Sequence, residues 1–148
     1  MKICVFLIVI VLSMINERFS VVIDSIRIFA DYTTLEAQKV RFGEEFITNV
    51  KTIINSAVEA MRTIIMVPQY EDNLIVKFCD KSIQTDITVM TSGIPVDFVL
   101  FPYIIDSSII DFENVDIYGL HCLNDERTGR PLAGILGINE NINITKTN

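Results

Sequence analysis

An amphipathic stretch in the first half of the chain predicts one long helix. Charged residues such as Lys51 and Glu59 lie off its apolar stripe. Glu44 and Glu45 suit the positive end of the helix dipole. We expect Pro68 to end the helix, because proline lacks an amide donor and disfavours helical geometry in the residue before it. The apolar residues are spaced three and four apart, as on one helix face: Phe46, Ile47, Val50, Ile53, Ile54, Ala57, Val58, Met61, Ile64 and Ile65.

Short strands predicted around this helix complete an α+β pattern. Residues 23–32 alternate apolar and polar side chains, as expected for a strand with one covered face. After the helix, a polar excursion is predicted at residues 107–114, and strands are predicted at residues 74–78, 97–105, 117–122 and 132–138. Pro102 either faces an open edge or follows the end of its strand at Phe101, because proline cannot donate to a β-ladder. We predict a small mixed sheet of about five strands with the helix packed across one face.

The charge balance disfavours two classes of partner. The 148 residues carry a formal net charge of −7, and the acidic residues are scattered along the chain. Nucleic acids and anionic membrane surfaces both select basic patches, so we expect neither as a partner. Half of the residues are hydrophobic, which suits one domain with a substantial core.

The N-terminus has the features of a secretory signal. Lys2 precedes an apolar run at residues 3–15, which is too short to span roughly 30 Å of hydrocarbon comfortably. We therefore expect residues 1–20 to be a signal peptide and residues 21–148 to form the mature domain. An uncleaved membrane anchor is the alternative.

Secretion would determine whether the cysteines are oxidised to a disulfide or remain free thiols. After signal cleavage Cys79 and Cys122 are the cysteines that remain, and an oxidising compartment favours one bridge between them. Two unpaired buried thiols are the alternative. The sequon at Asn143 predicts a glycosylation site on a secreted chain.

Several residues invite a metal or catalytic interpretation that their pattern does not support. His121 is the only histidine, and Cys122 beside it should point to the opposite face of a strand, so no set of three or four ligands is evident. Gly134 and Gly137 indicate close packing or a bulge rather than a phosphate loop. We predict no catalytic and no metal-binding residues. Six acidic residues lack the spacing of a calcium loop and are interpreted as solvated: Asp106, Asp111, Glu113, Asp116, Asp125 and Glu126.

Three segments of the chain, taken in order, carry a resemblance. They are Ile26-Arg-Ile-Phe-Ala, then Cys79 followed by residues 88–101, then His121-Cys122 through Gly129-Arg-Pro-Leu-Ala-Gly-Ile. Together they resemble the opening strand, the central strand, and the turn and strand before the zinc helix of the leishmanolysin-like zinc metallopeptidases. The resemblance covers roughly residues 23 to 141 and implies the front half of a metzincin-type catalytic domain.

The resemblance implies an activity, a bridge and a substrate edge. Complete family members hold zinc and hydrolyse peptide bonds in protein or peptide substrates with metal-activated water. A disulfide joins the positions that match Cys79 and Cys122. An edge strand that matches Tyr118, Gly119, Leu120 and His121 lines the cleft, where an extended substrate pairs with the free backbone. The signal peptide implies secretion or display at the cell surface, and the resemblance adds membrane association as a possibility.

One motif of the family is missing from this sequence. It contains no His-Glu-x-x-His, which would supply two zinc ligands and the base. We therefore expect a domain truncated before its zinc-binding helix, which alone holds no zinc and is inactive. The alternative is a secreted, non-enzymatic module for peptide binding or adhesion. Without the zinc helix, we expect an uncovered sheet face opposite the long helix at residues 97–101 and 132–138, and self-association through it.

Overall fold

The amphipathic stretch forms a long helix in the computed structural model, which describes residues 23–105 and 115–142. This helix, α2, spans Glu44–Ile64 and follows a shorter helix, α1, at Thr33–Phe42. Gly43 between them has a φ of 84°, a left-handed conformation that glycine adopts without steric cost. The sequence analysis did not predict α1, because only Thr34 and Leu35 of its residues are buried and no apolar stripe marks it.

The strands form two sheets. β1 (Ile23–Ser25) pairs antiparallel with β3 (Met66–Pro68) in a two-stranded sheet. A short helix, α3, lies at Ile87–Thr91. The larger, four-stranded sheet contains, in spatial order, β2 (Ile28–Ala30), β4 (Phe98–Ile105), β6 (Pro131–Asn139) and β5 (Ile117–Asn124). β2, β4 and β6 are parallel, whereas β5 is antiparallel to β6. The predicted α+β class with a small mixed sheet is confirmed.

Residues 23–32 form two strands in different sheets instead of the single strand predicted. Arg27 lies at the break, where its backbone N–H and its guanidinium both donate to the carboxylate of Asp97. The carbonyl of Arg27 accepts from the N–H groups of Asp97 and Phe98. These contacts direct the chain out of the small sheet and into the large one, which is a tertiary constraint that alternation along the sequence does not contain.

Two other sequence predictions need correction. α2 ends at Ile64, and Pro68 is the last residue of β3 rather than the residue that ends the helix. Residues 74–78 form no strand, and Leu74 makes only an isolated bridge to Ile94. Leu74 and Val76 are apolar because their side chains are buried in a core against the face of the large sheet, not because they extend one of its edges.

Pro102 lies within β4, which continues to Ile105. On the side of β2, the Leu100 carbonyl accepts from Asp31, and the Ile104 N–H is bonded by the side chain of Gln38. Backbone direction alternates along a strand, so the backbone nitrogen of Pro102, like the backbone groups of Leu100 and Ile104, faces the β2 side. The pairing of β2 with β4 ends at Leu100, two residues before Pro102. The structure therefore supports the open-edge alternative, because no strand in the described part of the chain lies there to require the missing N–H.

α2 packs across one face of the large sheet as predicted. Its buried residues are Ile47, Val50, Ile54 and Val58, and they share a core with Ile28, Ile104 and Ile138 of the sheet. The opposite face is covered by residues 69–96, which we call the covering loop. Its Leu74, Val76 and Val89 pack in a second core with Val99, Phe101, Ala133 and Ile135.

The predicted uncovered face opposite the helix is therefore wrong. Val99, Phe101 and Ala133 have no exposed surface. The covering loop has little regular structure, yet its apolar side chains bury this face as a second layer would. Self-association through that face has consequently lost the exposed surface on which its prediction rested.

Several predictions lie outside the described residues. They are the signal peptide at residues 1–20, the polar excursion at residues 107–114, Asp106, Asp111, Glu113 and the sequon at Asn143. Within the part of the chain that the structure describes, we find no helix with the length and apolar character needed to cross a bilayer.

Candidate functional site

β5 forms one edge of the large sheet and contains the four residues that the resemblance assigns to a substrate edge, Tyr118, Gly119, Leu120 and His121. Its inner side pairs with β6 in a regular register from Ile117 to His121. No strand within residues 23–105 and 115–142 pairs with its outer side. Among the residues that the structure describes, β5 is therefore an open edge strand.

The backbone direction along β5 identifies the groups on the open side. The carbonyl of Asp116 accepts the N–H of Asn139, so position 116 faces β6. Because direction alternates along an antiparallel strand, the outward groups belong to Ile117, Gly119 and His121. These residues present N–H and C=O groups at alternate positions, which is what an incoming extended strand requires.

The side chains of β5 leave this edge unprotected. Ile117 is 53% exposed and Leu120 is 59% exposed. The strand contains no Lys, Arg, Asp, Glu or Pro, although edge strands are commonly protected by charged side chains or proline. The edge thus combines outward backbone groups with exposed apolar side chains.

A bulge and a disulfide limit the regular part of the edge. The register shifts between His121 and Leu123, which leaves Cys122 as the extra residue of a bulge. Cys122 is bonded to Cys79 of the covering loop, so the two cysteines paired by the resemblance form a disulfide. The bond fixes the end of β5 to the layer that covers the second sheet face.

Residues of β5 pack closely against two glycines of β6, Gly134 and Gly137. The ring of Tyr118 occupies the space that a side chain at Gly137 would need, and a Cβ at Gly134 would meet the Leu120 carbonyl oxygen at 2.9 Å. The Tyr118 ring also meets Tyr103 edge to face, with 6.2 Å between the ring centroids. Burial, and to a smaller extent the charge of Asp80, raises the pKa of Tyr118. The two glycines therefore serve packing, as their positions within an apolar strand indicated.

The described side chains do not fit a zinc site. The sulfur of Cys122 is in a disulfide, so it cannot act as a thiolate ligand beside His121. In the described ranges no three His, Cys, Asp or Glu side chains lie close enough together to hold a metal. The Asp125 carboxylate accepts the N–H groups of Thr128 and Arg127, and these bonds lower its pKa. Asp125 therefore stabilises its turn.

Asp97 is a buried charged group that the sequence analysis did not single out. Its carboxylate has no exposed surface and accepts from Arg27 and from the Tyr70 N–H. The guanidinium of Arg130 lies 3.5 Å from it. Burial alone would raise the pKa of Asp97, but the hydrogen bonds from Arg27 and Tyr70 outweigh it, and the pKa is lowered. Because its contacts join Arg27 between β1 and β2, Tyr70 of the covering loop and Arg130 of the β5–β6 turn, Asp97 is a structural group.

A groove of about 700 Å³ lies at the other edge of the sheet, between β2 and α2. Its polar groups bond one another. The Arg62 guanidinium donates to the Ile28 carbonyl, and the Tyr32 hydroxyl donates to Asn55. The Asp31 carboxylate accepts from the Thr33 and Asp86 N–H groups. These side chains of the groove therefore have hydrogen-bond partners within the chain.

No protein-family model matches this chain, and no curated protein matches it. The leishmanolysin resemblance therefore rests on its three segments and remains a prediction.

Proposed function

We propose that this chain contributes the peptide-binding sheet of a leishmanolysin-like zinc metalloendopeptidase, with β5 as the strand on which an extended substrate pairs. The observation that carries the proposal is the open side of β5, where Ile117, Gly119 and His121 direct their backbone groups outward. Main-chain pairing at an exposed sheet edge is a general mode of peptide recognition.

The edge also indicates what kind of peptide it would bind. An extended peptide on β5 would place alternate side chains on the two sheet faces. On one face they would lie beside Leu120, and on the other beside Ile117, both of which are exposed and apolar. We therefore expect main-chain bonds to provide most of the affinity, with a preference for apolar residues next to these two side chains.

The catalytic groups of such an enzyme are not in this sequence, which contains one histidine and no His-Glu-x-x-His. Zinc catalysis usually needs three protein ligands and a base that activates water. We therefore expect the 148-residue polypeptide to bind extended peptides without hydrolysing them. Activity would require catalytic residues encoded elsewhere.

A pair of substitutions at one position tests the binding edge. Gly119→Pro removes an outward N–H, whereas Gly119→Ala keeps it and adds a Cβ whose nearest neighbour, the Ile135 carbonyl oxygen, is at an ordinary 3.7 Å. With a fluorescent peptide of alternating apolar residues, we expect at least tenfold weaker binding for proline, a loss of about 1.4 kcal/mol, and little change for alanine. Equal affinity for both variants would contradict pairing at β5.

The enzymatic part of the proposal has a separate test. The transcript is sequenced beyond codon 148, and any longer product is assayed for zinc-dependent cleavage of casein. An in-frame His-Glu-x-x-His with cleavage would support the peptidase. In that product Gly119→Pro should raise KM more than it lowers kcat, because the outward N–H binds substrate and does not touch the reacting bond.

A second candidate function is a secreted, non-enzymatic module for peptide binding or adhesion. It is favoured by the observation that the open edge is formed entirely by described residues of this chain and needs no metal. Peptide binding by the full chain, together with a transcript that encodes no zinc motif, would favour this module. Cleavage of casein by a longer product would favour the peptidase.

A further inference from the structure

We propose that the disulfide between Cys79 and Cys122 is a redox switch that controls how tightly the β5 edge binds peptide. The inference rests on the proposed function, because it concerns the regulation of that same edge. The bond joins the bulge of β5 to the covering loop, and both of its cysteines are partly exposed. Exposed disulfides are more readily reduced than buried structural ones.

The bond lies where the regular part of the edge ends. His121 directs its backbone groups to the open side, and Cys122 follows it as the extra residue of the bulge. In the part of the chain that the structure describes, β5 pairs with β6 alone, and the disulfide is its covalent link to the covering loop. The position of His121 therefore depends on the bond more than that of Ile117, at the far end of the strand.

Opening the bond would loosen a short part of the covering loop and leave the rest in place. On one side of the cysteine, the Val76 N–H donates to the Val89 carbonyl, and both side chains are buried in the second core. On the other side, the Gln84 N–H donates to the Thr34 hydroxyl of α1. Neither contact involves the disulfide. Residues 77–82, which we call the tip, are therefore the part of the covering loop that the bond fixes.

Few contacts besides the bond hold the tip in place. Among the described residues, its hydrogen bonds are those of one turn, in which Asp80 accepts from Ser82 and from the Ile83 N–H. Burial raises the pKa of Tyr118, and the charge of Asp80 adds to this rise, as expected for a tip that lies beside β5. Reduction would separate the tip from the end of β5 while the two cores stay packed.

The switch needs a partner with two thiols, a dithiol oxidoreductase. A thiolate of the partner attacks one sulfur of the bond, forms a mixed disulfide and displaces the other sulfur as a thiolate. The partner's second thiolate then attacks the mixed disulfide, which releases the remaining cysteine and closes a disulfide in the partner. Two electrons pass from the partner to this chain, and the protons of the partner's two thiols pass through solvent to Cys79 and Cys122.

Reduction should weaken peptide binding, because a loosened strand must be ordered before it can pair. That ordering subtracts from the affinity, whereas a strand already held in its bound conformation avoids the loss. We therefore expect the reduced chain to bind a fluorescent peptide of alternating apolar residues at least fivefold more weakly than the oxidised chain.

The first measurement contains no peptide. The full chain is treated with dithiothreitol in native buffer, and thiol labelling of Cys79 and Cys122 is followed by mass spectrometry together with amide hydrogen exchange. We expect both cysteines to be labelled in the folded chain, and exchange to accelerate in the tip and near His121 but not in α2. A bond that opens only when the whole chain unfolds would overturn the switch.

The second measurement compares the peptide affinities of the oxidised and reduced chains. The control variant carries Cys79→Ser and Cys122→Ser, and it should bind as weakly as the reduced wild type, with or without dithiothreitol. Equal affinities of the oxidised and reduced wild type would overturn the proposal. An oxidised chain that binds no peptide would instead contradict the proposed function, and the labelling and exchange measurements would still decide whether the bond opens in the folded chain.

Discussion

The two edges of the large sheet are finished in different ways. At the β2 edge, Arg62 donates to the outward carbonyl of Ile28, and beyond the end of β2 the amide of Gln38 bonds both the N–H and the C=O of Ile104. At the β5 edge, no hydrogen bond among the described residues reaches the outward groups of Gly119. On the β2 side, side chains therefore bond the carbonyl of Ile28 and both backbone groups of Ile104, whereas among the described residues no side chain does so at Gly119.

The difference shows how a side chain can make the backbone hydrogen bonds that a neighbouring strand would otherwise make. A glutamine carries a donor and an acceptor in one plane, so Gln38 makes the two bonds that a neighbouring residue of a strand would make. α1 and α2 place these groups beside β2, whereas β5 has no helix at its outer side within the described residues. Within the described residues, the β2 side is therefore bonded in part by side chains of two helices, and β5 is the edge with less side-chain protection.

The largest effect is expected from breaking the anchor of β2. Asp97→Ala removes the carboxylate that holds Arg27 and the Tyr70 N–H, leaving a partly buried guanidinium without its charge partner. The Arg27 guanidinium is 37% exposed and keeps part of its hydration, so most of the cost comes from the N–H groups of Arg27 and Tyr70, which lose their acceptor. At about 1–3 kcal/mol for each unsatisfied group, we expect a loss of roughly 2–6 kcal/mol in the free energy of unfolding measured in urea. Asp125→Ala, in the exposed turn, is the control and should cost far less. Equal effects would contradict a central role for Asp97.

The second-largest loss of stability is expected from removing the disulfide that links β5 to the covering loop. Replacing both Cys79 and Cys122 by serine opens the link between β5 and the covering loop, and should cost roughly 2–4 kcal/mol of stability. The comparison between edges predicts where the loss is felt. Amide hydrogen exchange should accelerate more in β5 than in β2, because only β5 is tied by the bond. Uniform acceleration would show that the disulfide stabilises the domain without a preference for that edge.

Removing the side-chain cap tests whether the β2 side is closed by Gln38. Gln38→Met keeps the length of the side chain but leaves the N–H and C=O of Ile104, a residue that is almost fully buried, without partners. We expect a loss of about 1–3 kcal/mol. Gln69→Met is the control, because Gln69 bonds only an exposed carbonyl of Ser25. A loss no larger than that of the control would mean that the edge is closed by packing alone.

The smallest effect is a pH dependence that belongs to Asp97. Its pKa is lower in the folded chain than the unfolded value of about 3.9, so its contribution to stability is fully present above that pH and is lost as the pH falls through the folded pKa. The difference in Tm between wild type and Asp97→Asn should therefore stay constant from neutral pH to about pH 5 and shrink below about pH 4. A difference that is unchanged in acid would show that the contribution does not depend on the charge of Asp97.

The elements that the sequence predicted well are those with a local pattern. α2 follows a stripe whose spacing is visible within a few residues, and β6 follows an apolar run that the prediction placed within one residue at either end. The candidate edge was predicted as a strand because residues 117–122 are extended in pattern, and the structure continues it to Asn124. α1 was missed because it buries too little to leave a periodic signal.

By itself, the sequence determined the class of the domain, the long helix and most of the strands, because helix and strand periodicities are carried by neighbouring residues. Only the tertiary structure decided which strands lie at the edges and which side chains bond the backbone groups there. Asp97 divides the first strand by bonding Arg27 across 70 residues, and Gln38 completes the β4 ladder across 66. Such bonds depend on which distant segments lie next to each other in the fold, and a local sequence pattern does not contain that information.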